Sequence, residues 1–271
     1  MEKSLNKNRL SRSGDSEKAG MRDVHNVDED LIEGRNPVTE AFRSGKTIDR
    51  LYILDGCRDG AVLTIKREAA KSGTAIKYVD KERLDHMSRT GHHQGVIAVA
   101  AAYKYSEVSD ILKRAGEKNE EPFIIILDGI EDPHNLGAII RTADQAGAHG
   151  VIIREDRAAG LTSAVARASA GAINYLPVAK VKNISRTIDE LKEKGLWFVC
   201  ADAGGTLMYD LNLTGPIGLV IGNEGSGVSR LVSEKCDMTA SIPMKGEIDS
   251  LNASVACGVL CYEIVRRRMS R

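Results

Sequence analysis

The sequence predicts an α/β protein made of two units. Three observations carry this. Short apolar runs alternate with longer segments of helical period from about residue 30 to the end. In the later half the apolar runs are continuous, as in FIIIL (123–127) and IGLVIG (217–222), the pattern of parallel strands covered on both faces by helices. A polar stretch, SEVSDILKRAGEKNEEP (106–122), divides the two halves. With 42% hydrophobic residues in 271, the chain can bury a substantial core.

Residues 1–28 are polar, without hydrophobic period, and read as a disordered tail. The first unit spans 29–104. NPVTEAFRSG (36–45) opens a helix with Asn36 as cap and Pro37 at the first helical position, and Gly45 ends it. RLYIL (50–54) is a strand, DGAVLTIKREAAKSG (59–73) an amphipathic helix and AIKYV (75–79) a second strand. KERLDHMSRTG (81–91) is a helix and GVIAVAAAY (95–103) a third strand. His92 and His93 are adjacent, not at ligand spacing, and fit a partner-contacting loop better than a metal site. Residues 105–121 read as a linker holding one short helix.

The second unit spans 122–271. Its strands are FIIIL, GVIIR (150–154), LPVAKV (176–181), LWFVCA (196–201), IGLVIG and ASIPM (240–244). Helices are expected near 135–146, 162–170, 185–194 and 228–235, with a last one from about Asn252. In such sheets ligands bind beyond the carboxyl ends of the strands. There this chain has four polar, mostly glycine-bearing loops: IEDPHN (130–135), DAGG (202–205), NEGSG (223–227) and KGEIDSLN (245–252).

Several function classes lose support. GxGxxG and GxxxxGK[ST] are both absent, which argues against a dinucleotide oxidoreductase or a P-loop enzyme. Lys+Arg and Asp+Glu are both 38, so any nucleic-acid surface must be local. The five cysteines are scattered with no CxxC, which argues against a disulfide framework or a structural zinc site and fits a reducing, cytoplasmic setting. Cys257 and Cys261 read as core residues of the last helix. No signal peptide or membrane-length apolar run is present, and no membrane contact is expected.

One charge stands out. In DPHNLGAIIRTADQAG (132–147), Leu136, Ile139, Ile140 and Ala143 form an apolar stripe, with Asn135 expected as the helix cap. Arg141 lies off that stripe, above Gly137 and Ala138, which leave room around it. On its own it reads as a surface arginine, solvated or paired with Asp144.

Three ordered stretches change that reading. NLGAIIRTADQAG (135–147), LVIGNEGSGVS (219–229) and SIPMKGEIDSLNASVACGVLCYE (241–263) resemble the three motifs of the SpoU/TrmH family, RNA ribose 2′-O-methyltransferases that use S-adenosylmethionine. The front unit, with IEGRNPVTEAF (32–42) and HHQGVIA (92–98), resembles the small RNA-binding domain of the RlmB branch, which methylates a guanosine of bacterial 23S rRNA. The resemblance implies a SPOUT-type parallel sheet tied in a deep trefoil knot, preceded by a small α/β RNA-binding domain, in a homodimer. Unknotted chains are otherwise the rule.

Carried over by motif, the donor pocket would comprise Gly222, Ile242 and Leu251, with Met244 and Ala203 as neighbours. Glycine at 222 would let backbone approach the ligand, and Ile242 and Leu251 would sandwich the adenine; without the motif both are plain core residues. Arg141 matches the catalytic arginine, and Asn135, Glu224, Ser250 and Asn252 complete the set. Ser250 and Asn252 can also cap the last helix. His134 is a further proton acceptor by chemistry, though a loop role suits it better. No metal is required, because the sulfonium leaves as a neutral thioether. Two other functions remain open at this point: a tRNA ribose 2′-O-methyltransferase, and an RNA-binding assembly protein that no longer methylates.

Overall fold

In the computed structural model, residues 31–248 and 250–269 are described. The expected tail, 1–28, lies outside them. The front unit is a four-stranded sheet in the order β1 (Leu31–Glu33), β4 (Val96–Ala100), β2 (Ile48–Leu54), β3 (Ala75–Val79). β2 and β3 run parallel, and β4 is antiparallel to both of its neighbours. β1 carries no sequence pattern of its own; three residues become a strand only because β4 offers an edge.

Helices α1 (Arg35–Arg43), α2 (Gly60–Ser72) and α3 (Lys81–Met87) surround this sheet. Asp59 and Asp80 cap α2 and α3 through the backbone N–H of Val62 and Arg83. The cap of α1 is Gly34 at φ +91°, not Asn36. The Gly34 N–H bonds Val96 O at 3.0 Å, so the chain turns at the end of β1. Pro37 then falls in the first helical turn, where no N–H is needed.

Residues 105–121 are not a free linker. They hold α4 (Val108–Lys118), whose Ile111 and Ala115 are fully buried. Ile111 packs with Ile124, Ile126 and Phe198 of the second unit. Gly150 admits it, since a Cβ there would lie 2.5 Å from the Ile111 side chain.

The second unit is a six-stranded, all-parallel sheet. Its order is β10 (Met238–Ser241), β8 (Trp197–Leu207), β9 (Ile217–Gly222), β5 (Phe123–Asp128), β6 (Gly150–Arg154), β7 (Val178–Val181). Every residue of β5 is buried, as its unbroken apolar run requires. Phe123, Ile125 and Leu127 face the core under α5 (Pro133–Gln145), α6 (Ser163–Ala168) and α9 (Ala253–Met269). Ile124 and Ile126 face the core under α4, α7 (Ile184–Lys192) and α8 (Arg230–Ser233). Cys257 and Cys261 are buried in α9, as expected.

Two strand ends that bear on the site differ from expectation. β8 runs on through DAGG to Leu207, but its ladder with β10 skips DAGG: Cys200 pairs with Thr239 and Thr206 with Ala240, so residues 201–205 bulge out between paired residues. β10 in turn ends at Ser241, two residues before Pro243, which has no N–H to give a ladder. Ile242 and Met244 therefore lie beyond the strand. The arginines ending α9 serve structure: Arg268 donates to the carbonyls of Glu121, Pro122 and Gly215 at 2.8–3.0 Å.

Candidate donor cavity and catalytic helix

A cavity of about 380 Å³ opens at the carboxyl ends of β8, β9 and β10. Ala201, Ile221 and Ala240 form its floor, and the 222–227 turn makes one wall. Ile242, Met244, Ser250 and Leu251 make another, and Ala253, Ala256 and Leu260 of α9 close it. All five residues expected at the donor, Gly222, Ile242, Leu251, Met244 and Ala203, line this one cavity. Asp202, Asn223 and Ser226 line it too and were not singled out, although they sit in the same loops.

The reason for glycine at 222 differs from expectation. A Cβ there would lie 2.0 Å from Gly227 C and 2.1 Å from Val228 N. Glycine is needed because the two ends of the 222–228 turn close on each other, whatever a ligand does. The turn is held hard. Asn223 and Gly227 exchange both backbone hydrogen bonds, at 3.1 and 2.8 Å. The Asn223 side chain donates to Gly129 O at 2.9 Å, and buried Asp128 accepts from Ser229 N at 2.8 Å.

α5 is capped by Asp132, with Pro133 at its first position, so Asn135 is not the cap. Asn135 lies in the first turn, buried, and its side chain joins three elements. Its amide donates to Glu224, which as a carboxylate can only accept. Its carbonyl oxygen accepts from the Asn252 amide at 3.0 Å. Asn252 caps α9, accepting from Ser254 N at 2.9 Å and Val255 N at 3.3 Å. Ser250 stands on the cavity wall, and the capping role falls to Asn252 alone. Four of the five expected catalytic residues, Asn135, Glu224, Ser250 and Asn252, are thus gathered at or beside the cavity.

Arg141 is the fifth. It is exposed and makes no hydrogen bond or ion pair with any described residue, Asp144 included. It lies six residues beyond Asn135, about 9 Å along the helix. Gly137 does not serve to leave room around Arg141. A Cβ there would meet Ala168 Cβ at 2.4 Å and Val165 O at 2.9 Å, so glycine lets α6 lie directly on α5. His134 is exposed at the start of the helix.

The front unit bears a second concavity, lined in part by Asn36, Arg89, His92 and Gln94. Its floor is fixed by Glu33. Burial pushes that carboxyl up, but hydrogen bonds from the Ser88 and Thr90 hydroxyls and the Arg89 and Thr90 N–H groups outweigh it and hold it at about 2. Of the histidine pair, only His92 faces outward. His93 is buried, accepting from Gly95 N at 3.0 Å and meeting Asp85 at 2.9 Å. Among the described residues no cluster of His, Cys, Asp or Glu could hold a metal ion, and no helix is long and apolar enough to cross a membrane.

Comparison with known proteins agrees with this geometry. The SpoU rRNA methylase family matches residues 122–262, and the domain described as RNA 2′-O ribose methyltransferase substrate binding matches 31–106. A protein of Bacillus subtilis (strain 168), YacO, placed by its name in the TrmH family of tRNA/rRNA methyltransferases, is 49% identical over 88% of this chain and 96% of its own. The solved AdoMet-bound rRNA methyltransferase of Sinorhizobium meliloti superposes with TM-score 0.55 at 27% identity, over 87% of this chain and 86% of its own. The TrmH/SpoU tRNA modifying enzyme of A. aeolicus reaches TM-score 0.51 at 29% identity, over 59% of this chain and 85% of its own. Fold, cavity and likeness together define an S-adenosylmethionine-dependent RNA methyltransferase. The chain belongs to the SpoU/TrmH family and carries that family's substrate-binding domain in front.

The cavity suits the methyl donor. Alanines at 201, 203, 240, 253 and 256 leave a slot for a flat base, with Ile242, Leu251 and Leu260 as apolar contacts. The carboxylates of Asp202 and Glu224 border it, where an ammonium or ribose hydroxyl would be recognised.

Proposed function

We propose that this chain methylates the ribose 2′-oxygen of a guanosine in bacterial 23S rRNA, in the cytoplasm and as a homodimer. The observation that carries the rRNA reading is the front unit. The S. meliloti rRNA methyltransferase aligns across both units, whereas the A. aeolicus tRNA enzyme aligns with 59% of the chain. The homodimer rests on α9, where Val255, Tyr262 and Met269 recur every seven residues at 51, 53 and 81% exposure. Seven residues are about two turns, so these side chains form one apolar stripe that a second copy would cover. The deep trefoil knot belongs to the same reading, through the family match over 122–262.

Gly222, Ala203, Ile242, Met244 and Leu251 hold the donor, which when bound supplies a methyl group on a positively charged sulfur. The remaining difficulty is the nucleophile. A ribose hydroxyl ionises several units above neutral pH, and each unit corresponds to about 1.4 kcal/mol. A guanidinium stays charged at neutral pH, so Arg141 acts as a cation rather than a base. It clamps an RNA phosphate and stabilises the charge that builds on the 2′-oxygen, while a base or water takes the proton. Asn135, Glu224 and Asn252 lock α5 to the cavity and so fix where Arg141 stands. Ser250 borders the donor.

The test is methyl transfer from labelled S-adenosylmethionine to undermethylated 23S rRNA and to tRNA, with the modified ribose mapped. Transfer to an rRNA guanosine supports the proposal. Transfer to tRNA alone replaces the substrate, and donor binding without transfer to either leaves an RNA-binding protein. Arg141→Ala should lower kcat by about 100-fold or more while donor affinity stays within about twofold. Loss of donor binding instead would make Arg141 structural.

A further inference from the structure

The two units meet through a buried polar cluster that the reaction scheme does not use. Asp49, on β2 of the front sheet, is 5% exposed. Its Oδ1 accepts from the Tyr105 hydroxyl and from Lys180 Nζ, on β7 of the second sheet, at 2.8 Å. The Lys180 ammonium also lies over the Tyr105 ring, 4.7 Å from its centre. Tyr105 accepts from Leu161 N at 3.0 Å. Burial and the Asp49 carboxylate both push the Tyr105 phenol up, so it keeps its proton and donates. Asp49 Oδ2 sits against Gly160, where a Cβ would come within 2.2 Å. Beside it, Arg50 donates to Ala158 O at 3.0 Å.

The loop gripped here, 158–161, is the one tied to the catalytic helix. Ala159 N bonds Ile130 O at 2.8 Å, three residues before α5 begins. A continuous path therefore runs from the front sheet through residues 158–161 and Ile130 into the helix that bears Arg141. Apolar contact would hold two units together at many angles. A buried ion pair with three directional bonds is satisfied at one.

We infer that Asp49, with Tyr105 and Lys180, is a positioning residue: it sets the angle at which RNA held by the front unit reaches Arg141. The inference rests on the function proposed above. The test uses the full chain carrying Tyr105→Phe, Lys180→Met or Lys180→Arg. Donor affinity, kcat and KM on rRNA, and amide hydrogen exchange are measured. Tyr105→Phe and Lys180→Met should speed exchange in 100–106 and 158–162 and leave 123–128 protected. They should lower kcat about tenfold or more, with donor affinity within about twofold, and Lys180→Arg should restore most of the rate. Unchanged exchange overturns the inference, as does faster exchange with undiminished kcat. Loss of donor affinity in step with kcat also overturns it, because damage would then lie in the catalytic unit. If the parent chain itself methylates no RNA, the proposed function fails and this inference with it. If the parent is active and Tyr105→Phe equally so, only this inference fails.

Discussion

Replacing Gly222 with alanine should break the wall of the donor cavity. The new Cβ would lie 2.0 Å from Gly227 C, 2.1 Å from Val228 N and 2.3 Å from Gly227 O, where ordinary contact begins near 3.4 Å. All three neighbours are backbone, so no side chain can swing aside. The turn would have to open by more than 1 Å. That strains the two Asn223–Gly227 backbone bonds and the Ser229–Asp128 bond. Each such bond is worth about 1 kcal/mol net, and overpacking adds about 1–3 kcal/mol. Losing two bonds gives a total of about 3–5 kcal/mol. At about 2–4 °C per kcal/mol for a chain of this size, Tm should fall by about 6–20 °C. Calorimetric melts give the shift, and titration with S-adenosylmethionine should show donor binding lost. Gly225→Ala is the control: its Cβ would meet only Asn223 Oδ1, at 3.5 Å, and its Tm should stay within about 2 °C of the parent. A Gly222→Ala protein that melts with the parent and binds donor equally well would refute the claim that the closed 222–228 turn excludes a methyl group.

Asn135→Ala strips Glu224 of a donor and Asn252 of an acceptor, and should weaken donor binding and turnover, each about tenfold; unaltered titrations would break the link from α5 to the cavity. His149 gives a pH signature. It is fully buried, accepts from Phe123 N at 3.0 Å and meets Glu120 at 3.0 Å, and burial pushes its imidazole down from the usual 6.5. The unfolded chain then takes the proton first, so this contribution to stability is complete above about 6.5 and declines as pH falls below it. Urea midpoints at pH 8 and pH 5 should differ, and His149→Gln should flatten the difference. Val255→Glu places a charge in the apolar stripe of α9 and should yield monomers by light scattering, while a persisting dimer would locate the interface elsewhere.

The second sheet was legible because its strands are unbroken apolar runs, a pattern that needs no partner to recognise. The cavity was legible because polar loops follow those strands on one edge. What escaped depends on contacts distant in sequence. Asn135 looked like a cap until Asp132 and Pro133 took the helix start, and its partners lie 89 and 117 residues away. DAGG reads as the end of its strand, because nothing local shows that β8 resumes pairing with β10 at Thr206. Residues 105–121 looked like a linker, although Ile111 and Ala115 are one helical turn apart and fill a groove left by Gly150. In sequence Gly137 reads as room around Arg141 and Gly222 as room for a ligand, but each yields to the chain itself. No local pattern announces that Asp49 will meet Lys180 across 131 residues.

The sheet order also sets a timetable for synthesis. β5 finds one neighbour in β6 soon after it is made, but its other neighbour, β9, begins 94 residues later. Every residue lining the donor cavity lies at or beyond Ala201, and its last wall is α9. The front sheet, complete at Ala100, leaves the ribosome long before that. A growing chain therefore possesses its substrate-binding unit while the donor cavity does not yet exist. A chain cut short before α9 has every strand of the front sheet but lacks the last wall of the donor cavity.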